Sequence, residues 1–248
     1  MSLLSPALAF AATVAALLVL SRWIGRQVQI VVLRLTGSEG AAQMAYYLLL
    51  LPGIVLHELS HALMAKLVGL KVGALSLGPR RSGRNTIELG SVTVSRGGAI
   101  RESLVGLAPF LAGSAALLAI GYLVFEVGAL SRGWTSGGLN GFLDLLRRAW
   151  QAPDSWLWAY LVFAISNAMT PSPSDRQPWL LAGLYVAVAL AAMYLVVGLP
   201  AVPETLAVQA AGALRALTLA FAFTLILDLL AAVLLLLADV VIIALGSH

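Results

Sequence analysis

The sequence has no cysteine and little charge: 15 Lys and Arg against 11 Asp and Glu in 248 residues, 10% of the chain. Without a thiol there can be no disulfide scaffold, no cysteine-ligated zinc and no thiol nucleophile. A soluble domain carries about 25% charged residues, so this chain has too few polar side chains to cover a water-exposed globule. Disorder and coiled coil are excluded on the same ground. What the chain does have is apolar, with 60% hydrophobic residues and a mean hydropathy of +0.96. Its apolar runs are too long for core strands. The fold class expected is an all-α polytopic membrane protein. The pI near 9.8 rests on few basic residues and reads as loop topology, not as nucleic-acid binding.

Six transmembrane helices are expected, near residues 7–20, 41–70, 104–125, 156–169, 179–199 and 217–245. No basic residue precedes Arg22, so the first run reads as an uncleaved helix and not as a signal peptide. The chain divides into an N-terminal helix and linker (1–40), a core (41–178) and two C-terminal helices (179–248). The glycine-rich stretch 72–98 alternates in Thr86-Ile87-Glu88-Leu89 and Val92-Thr93-Val94, which predicts a β-hairpin with Gly90 as a bulge. Over 139–150, Leu139, Phe142, Leu143, Leu146 and Trp150 recur at helical spacing opposite Asp144, Arg147 and Arg148. Two readings stand there: a helix in the membrane interface, or a loop helix packed on the bundle. Lys66, Lys71, Arg80, Arg81, Arg84, Arg96 and Arg101 put the hairpin on the cytoplasmic side by the positive-inside rule, although Arg22, Arg26 and Arg34 then face outward. Trp134, Trp150, Trp156, Trp158 and Trp179 fall at helix ends and read as interfacial anchors.

Histidine is also scarce. Of three, one is terminal, and the others form His57-Glu58-Leu59-Ser60-His61 inside an apolar run. This is the H-E-x-x-H pattern. Four residues make a little over one helical turn, so both imidazoles project from one face and can share a metal ion. Glu58 lies about 100° around the helix, within reach of a water held by that ion and suited to take its proton. Ionisable groups at membrane depth are expensive and usually functional. Catalytic zinc usually has three protein ligands. The third here must be a carboxylate, and the candidates are Asp175, Asp228, Asp239 and Glu126. Asp175 is best placed, because Pro171 and Pro173 end the fourth helix early. Such irregular backbone at membrane depth must be buried or line a wet cavity. The other reading of Asp175 is a helix cap paired with Arg176. Asp228 and Asp239, eleven residues apart, share a helix face and read as a polar stripe toward the bundle or a partner. Pro52 and Gly53 precede the motif by one turn, where they either kink the helix or are merely tolerated.

A membrane-embedded His57-Glu58-x-x-His61 followed by Asn167, a proline-rich turn and Asp175 resembles the site-2 protease family of intramembrane zinc metalloproteases. The eight-residue step from Asn to Asp is kept. Ser174 stands where that family usually has Leu, and Arg176 where it usually has Gly. The similarity runs from Leu50 to Arg176, and Gly106 to Gly113 loosely matches the start of the family's middle core helix. The resemblance implies a three-helix metalloprotease core with a re-entrant hairpin. It also implies one Zn2+ per chain on His57, His61 and Asp175, Glu58 as general base, and Asn167 holding the substrate backbone. The activity implied is hydrolysis of a peptide bond in or near a transmembrane segment of a membrane-protein substrate, after the substrate adds as a strand to the hairpin. The alternative is a non-proteolytic membrane scaffold or complex subunit that keeps the fold. Paired broken helices in two halves, a transporter signature, are not seen. The partners expected are the lipid bilayer and the substrate, with no nucleic acid, and a homo-oligomer or membrane complex is compatible. A compact chain of this kind suits a prokaryotic plasma membrane.

Overall fold

A computed structural model describes residues 3–78, 80–82, 86–88, 90–129, 132, 138–140, 143, 147, 150–198 and 203–246. Most of the 139–150 segment, Trp134 and His248 lie outside the described residues. The protein is mostly helical. In chain order the elements are α1 (Leu4–Thr36), α2 (Glu39–Leu67), β1 (Val72–Ser76), β2 (Arg80–Ser82), β3 (Thr86–Glu88), β4 (Ser91–Val94), α3 (Ala99–Leu123), α4 (Ser155–Ala168), α5 (Pro173–Arg176), α6 (Trp179–Val197) and α7 (Glu204–Gly246).

Five helical segments are long and apolar enough to cross a membrane: α1, α2, α3, α5 running into α6, and α7. The expected fourth span, α4, has only 14 residues. At 1.5 Å per residue it covers roughly 21 Å, short of a bilayer core of about 30 Å. The reason lies in the sequence, because Pro171 and Pro173 close the helix as anticipated. α7 is the opposite case: its 43 residues reach roughly 64 Å. Large apolar side chains are left exposed on the outer helices, among them Leu180, Leu195 and Val196 on α6 and Leu234 and Leu245 on α7. Such a surface is consistent with an integral membrane protein, for which lipid is the solvent.

Local signals set the element boundaries. Gly37 adopts the left-handed conformation (φ 64°) and returns its N–H to Leu33, ending α1. The Ser38 hydroxyl then accepts from the Ala41 N–H at 3.3 Å, and Glu39 lies in the first turn of α2. At the start of α3, Glu102 folds back to accept from the N–H groups of Gly97 (2.9 Å) and Gly98 (3.2 Å). Between α2 and α3, β1 pairs with β4 and β2 with β3, both antiparallel, so the chain forms one long hairpin arm. The irregularity in its register falls between Val72 and Leu75. Gly90, the expected bulge, lies between the paired stretches of β3 and β4, outside both registers; its contact is described below.

α1 packs along α7, and α2 packs against α3 and α4. The main core joins Leu17, Leu117, Val162, Ile165 and Phe221, from α1, α3, α4 and α7. Trp158, partly buried, packs against this core. Trp150 and Trp156 are exposed, as anchors would be. Arg34 on α1 forms an ion pair with Asp239 on α7. This splits the expected Asp228–Asp239 stripe, since Asp239 pairs at the margin while Asp228 is fully buried.

Candidate metal centre

The site lies where α2, the start of α3 and the turn between α4 and α5 meet. Glycines permit the close approach. A Cβ at Gly53 would strike the carbonyl oxygen of Ala164, and its next neighbour would be the Ala168 Cβ at 2.7 Å. Gly53 thus brings α2 against α4, which accounts for the Pro52-Gly53 pair by packing, within a helix that runs on through Pro52. A Cβ at Gly106 would strike the carbonyl oxygen of Asp175, and one at Gly113 would meet the Met169 Cβ at 2.6 Å. α3 is therefore smooth where the broken segment crosses it.

Both histidines are oriented by carbonyls that helix breaks leave free. His57 Nδ1 donates to the Ala168 carbonyl, 2.8 Å away, in the last turn of α4. Within a continuing helix that carbonyl would accept from the N–H of Ser172. Here the Ser172 N–H donates instead to Asp175 Oδ2 at 2.7 Å. His61 Nδ1 donates to the Val105 carbonyl, also at 2.8 Å. The helical partner of Val105 is residue 109, which is Pro109 and has no N–H. A proline inside α3 thus supplies the acceptor that fixes His61.

These bonds place the proton of each neutral ring on Nδ1 and leave a lone pair on each Nε2. The two Nε2 atoms face each other at 3.1 Å. Asp175 Oδ1 lies 3.2 Å from His61 Nε2, and Oδ2 lies 3.7 Å from His57 Nε2. Asp175 is held in turn by a capping box at the start of α5, in which its N–H donates to Ser172 Oγ at 3.2 Å. The two sequence readings of Asp175 therefore coexist: it caps a helix and also faces the histidines. Arg176 does not pair with it; its Nε donates to the Ser172 carbonyl at 3.3 Å.

With both rings neutral, three lone-pair groups converge on one point, an arrangement that could hold a cation. Ligand atoms bonded at ~2.0–2.1 Å in a tetrahedron stand roughly 3.3 Å apart; the imidazole pair at 3.1 Å and the His61–Asp175 Oδ1 contact at 3.2 Å lie near that value, and His57 meets the other carboxylate oxygen at 3.7 Å. His57, His61 and Asp175 form a group whose ligand atoms all lie within 4.8 Å of one another, and which could hold a metal ion. The other carboxylates considered do not join it. Asp239 binds Arg34, Asp228 binds Ser166 and Asn167, and Glu126 sits in a turn after α3 with φ 49°.

No family model, curated protein or solved structure matches this chain.

A cleft of about 690 Å³ opens over the group, lined by His57, Glu58, His61, Asn167, Asp175 and the hairpin residues Gly90, Ser91 and Val92. Glu58 is buried. A Cβ at Gly90 would lie 2.8 Å from its Oε1, so the absence of a side chain lets the hairpin backbone reach the carboxylate. A second cavity of about 280 Å³ reaches His61 and Asp175 from the other side and is lined by Ser95, Arg96, Glu102 and Gln177. Sequence reasoning did not reach the roles of Val105 and Ala168, because backbone carbonyls carry no side-chain signal. Pro109, four residues after Val105, was the available clue.

Pro109→Ala restores an N–H that competes for the Val105 carbonyl and loosens His61. Partners that orient a ligand typically contribute 10–100-fold in metal affinity. The expected result is an apparent metal Kd raised roughly tenfold with secondary structure retained, measured by competition with a chelating dye. An unchanged Kd would separate the proline from the site.

Proposed function

We propose that the chain is an intramembrane zinc endopeptidase of the site-2 protease type, hydrolysing a peptide bond in or near a transmembrane segment of a membrane-protein substrate. One observation carries this reading: two imidazoles and a carboxylate converge with their lone pairs inward, beside a buried Glu58 that is not one of the three. A purely structural metal site has no use for that fourth group. Two His and one carboxylate are a common ligand set for catalytic zinc, and the donors, their spacing and their fixed tautomers fit that ion. Zinc bound there supplies Lewis acidity at the scissile carbonyl.

The chain's own residues do the rest. Glu58 takes a proton from the attacking water as the C–O bond forms and passes it to the amide nitrogen as the C–N bond breaks. Asn167, in the cleft wall, offers its amide group to the substrate backbone. Among the described residues β4 pairs only with β1, so its other edge carries no strand and is suited to an added one. A helical substrate must unwind to expose its carbonyl, and pairing with that edge compensates the backbone groups released. The polar second cavity suits delivery of water to a site that lipid would otherwise keep dry. Ser174 and Arg176, where the chain departs from the family pattern, both turn onto Ser172 and do not compete with the histidines for the Asp175 carboxylate.

The test is cleavage of a single-span substrate by purified protein in lipid, with the cut mapped by mass spectrometry. The cut is expected within or at the edge of the span and is lost on chelation. Replacing the hairpin by a flexible linker is expected to lower cleavage at least tenfold while leaving metal content unchanged. Unchanged cleavage would refute the strand-addition step. Bound metal without any cleavage would favour a scaffold that merely keeps the fold.

A further inference from the structure

Asp228 is a costly residue to place. It is fully buried in the long apolar helix α7, and its described hydrogen-bond partners are neutral. Its carboxylate accepts from Ser166 Oγ (3.1 and 3.2 Å to its two oxygens) and from Asn167 Nδ2 (3.2 Å), both on α4. Two neutral donors are a small return for a carboxylate at membrane depth. A purely packing role is better filled by leucine.

What the carboxylate does is fix the polarity of Asn167. The amide nitrogen has two hydrogens and three acceptors around it: the Phe163 carbonyl at 2.9 Å, Ser166 Oγ at 3.2 Å and Asp228 Oδ1 at 3.2 Å. A flipped amide would set its oxygen against a carbonyl and a carboxylate, so the flip is forbidden while Asp228 is present. Among the described residues the buried amide oxygen has no hydrogen-bond partner, and Asn167 lines the cleft. A buried acceptor without a donor is unfavourable, and it is most simply explained by a donor that arrives later.

We propose that Asp228 is a positioning residue for substrate binding: through Asn167 it keeps an amide oxygen, and not an amide nitrogen, available to accept a backbone N–H from an extended substrate chain. This rests on the peptidase reading and extends it, because it assigns a role in substrate recognition to the C-terminal helix. Without Asp228 one of the two acceptors that oppose the flip is gone and the Ser166 hydroxyl is free to donate to a flipped Asn167 oxygen, so a share of the molecules then presents N–H groups that an incoming N–H cannot use.

The experiment measures the Kd of a synthetic single-span peptide containing a Gly-Pro pair, in nanodiscs, with Glu58→Gln as the parent so that the peptide stays intact. Asp228→Leu is expected to raise the Kd roughly five- to tenfold, about the worth of one hydrogen bond. Asp228→Asn, which can still offer an oxygen to Asn167, is expected within about twofold of the parent. Asn167→Ala alone should match Asp228→Leu, and the double variant should bind no more weakly than Asn167→Ala, because the two act as one unit. Metal content and thermal midpoint should hold across the set, which a packing role would not predict. Should leucine prevent folding, Asp228→Ala removes the same acceptor with less volume. Unchanged binding in Asp228→Leu, or a loss that multiplies with that of Asn167→Ala, overturns the assignment while the peptidase reading stands. A wild-type chain without bound metal or Glu58-dependent cleavage overturns that reading itself.

Discussion

Glu58→Gln is expected to reduce peptide-bond cleavage by about three orders of magnitude while the metal stays bound. General acid–base catalysis contributes typically 10²–10⁴-fold, and in the proposed reaction one carboxylate serves both halves of the proton transfer. Glutamine keeps the volume and the polar contacts available beside Gly90 but cannot accept the proton. Glu58 is not among the three converging ligands, so metal content should remain at the wild-type level. This pairing of lost turnover with retained metal is the diagnostic feature. Cleavage within about threefold of wild type would mean that another group moves the proton. Loss of metal would mean that Glu58 is a ligand.

Asp175→Ala is expected to strip the site of metal. It removes one of the three converging groups and leaves two facing lone pairs with no anion to offset a dication. It also breaks the capping box with Ser172, at about 1 kcal/mol of local stability. Asp175→Asn separates these effects, because its side-chain oxygen can still accept from the Ser172 N–H but carries no charge. Both variants should lose metal on dialysis against a weak chelator, and only the alanine variant should also loosen the turn, read by hydrogen exchange at Arg176 and Gln177. Retention of metal by Asp175→Ala would exclude Asp175 from the centre.

Much of this arrangement could be read from the residues in order. His57 and His61 are one turn apart on an apolar helix, and that fixes a shared face whatever the tertiary structure. Pro171 and Pro173 forbid continuous helix, so the break before Asp175 was also legible. The number of spans was less so: α4 is apolar enough to cross and fails only by length, which hydropathy alone weighs poorly. Two features needed three dimensions. In the sequence Gly53 reads with Pro52 as a kink or a tolerated pair, and Gly106 and Gly113 only bound a loosely matching stretch; in the fold all three are contact points with α4 and the turn after it, which no periodicity reveals. Asp228 read as one end of a stripe with Asp239, whereas burial separates them. One meets Arg34 near the C-terminal end of α1, and the other sits behind Asn167.

The most direct measurement of the central claim is X-ray absorption at the zinc edge on purified wild-type protein, supported by metal stoichiometry. One zinc per chain with two imidazole nitrogens and carboxylate oxygen at about 2.0–2.2 Å is the predicted spectrum. No bound zinc, or a ligand shell that stays the same after Asp175→Ala, would contradict it.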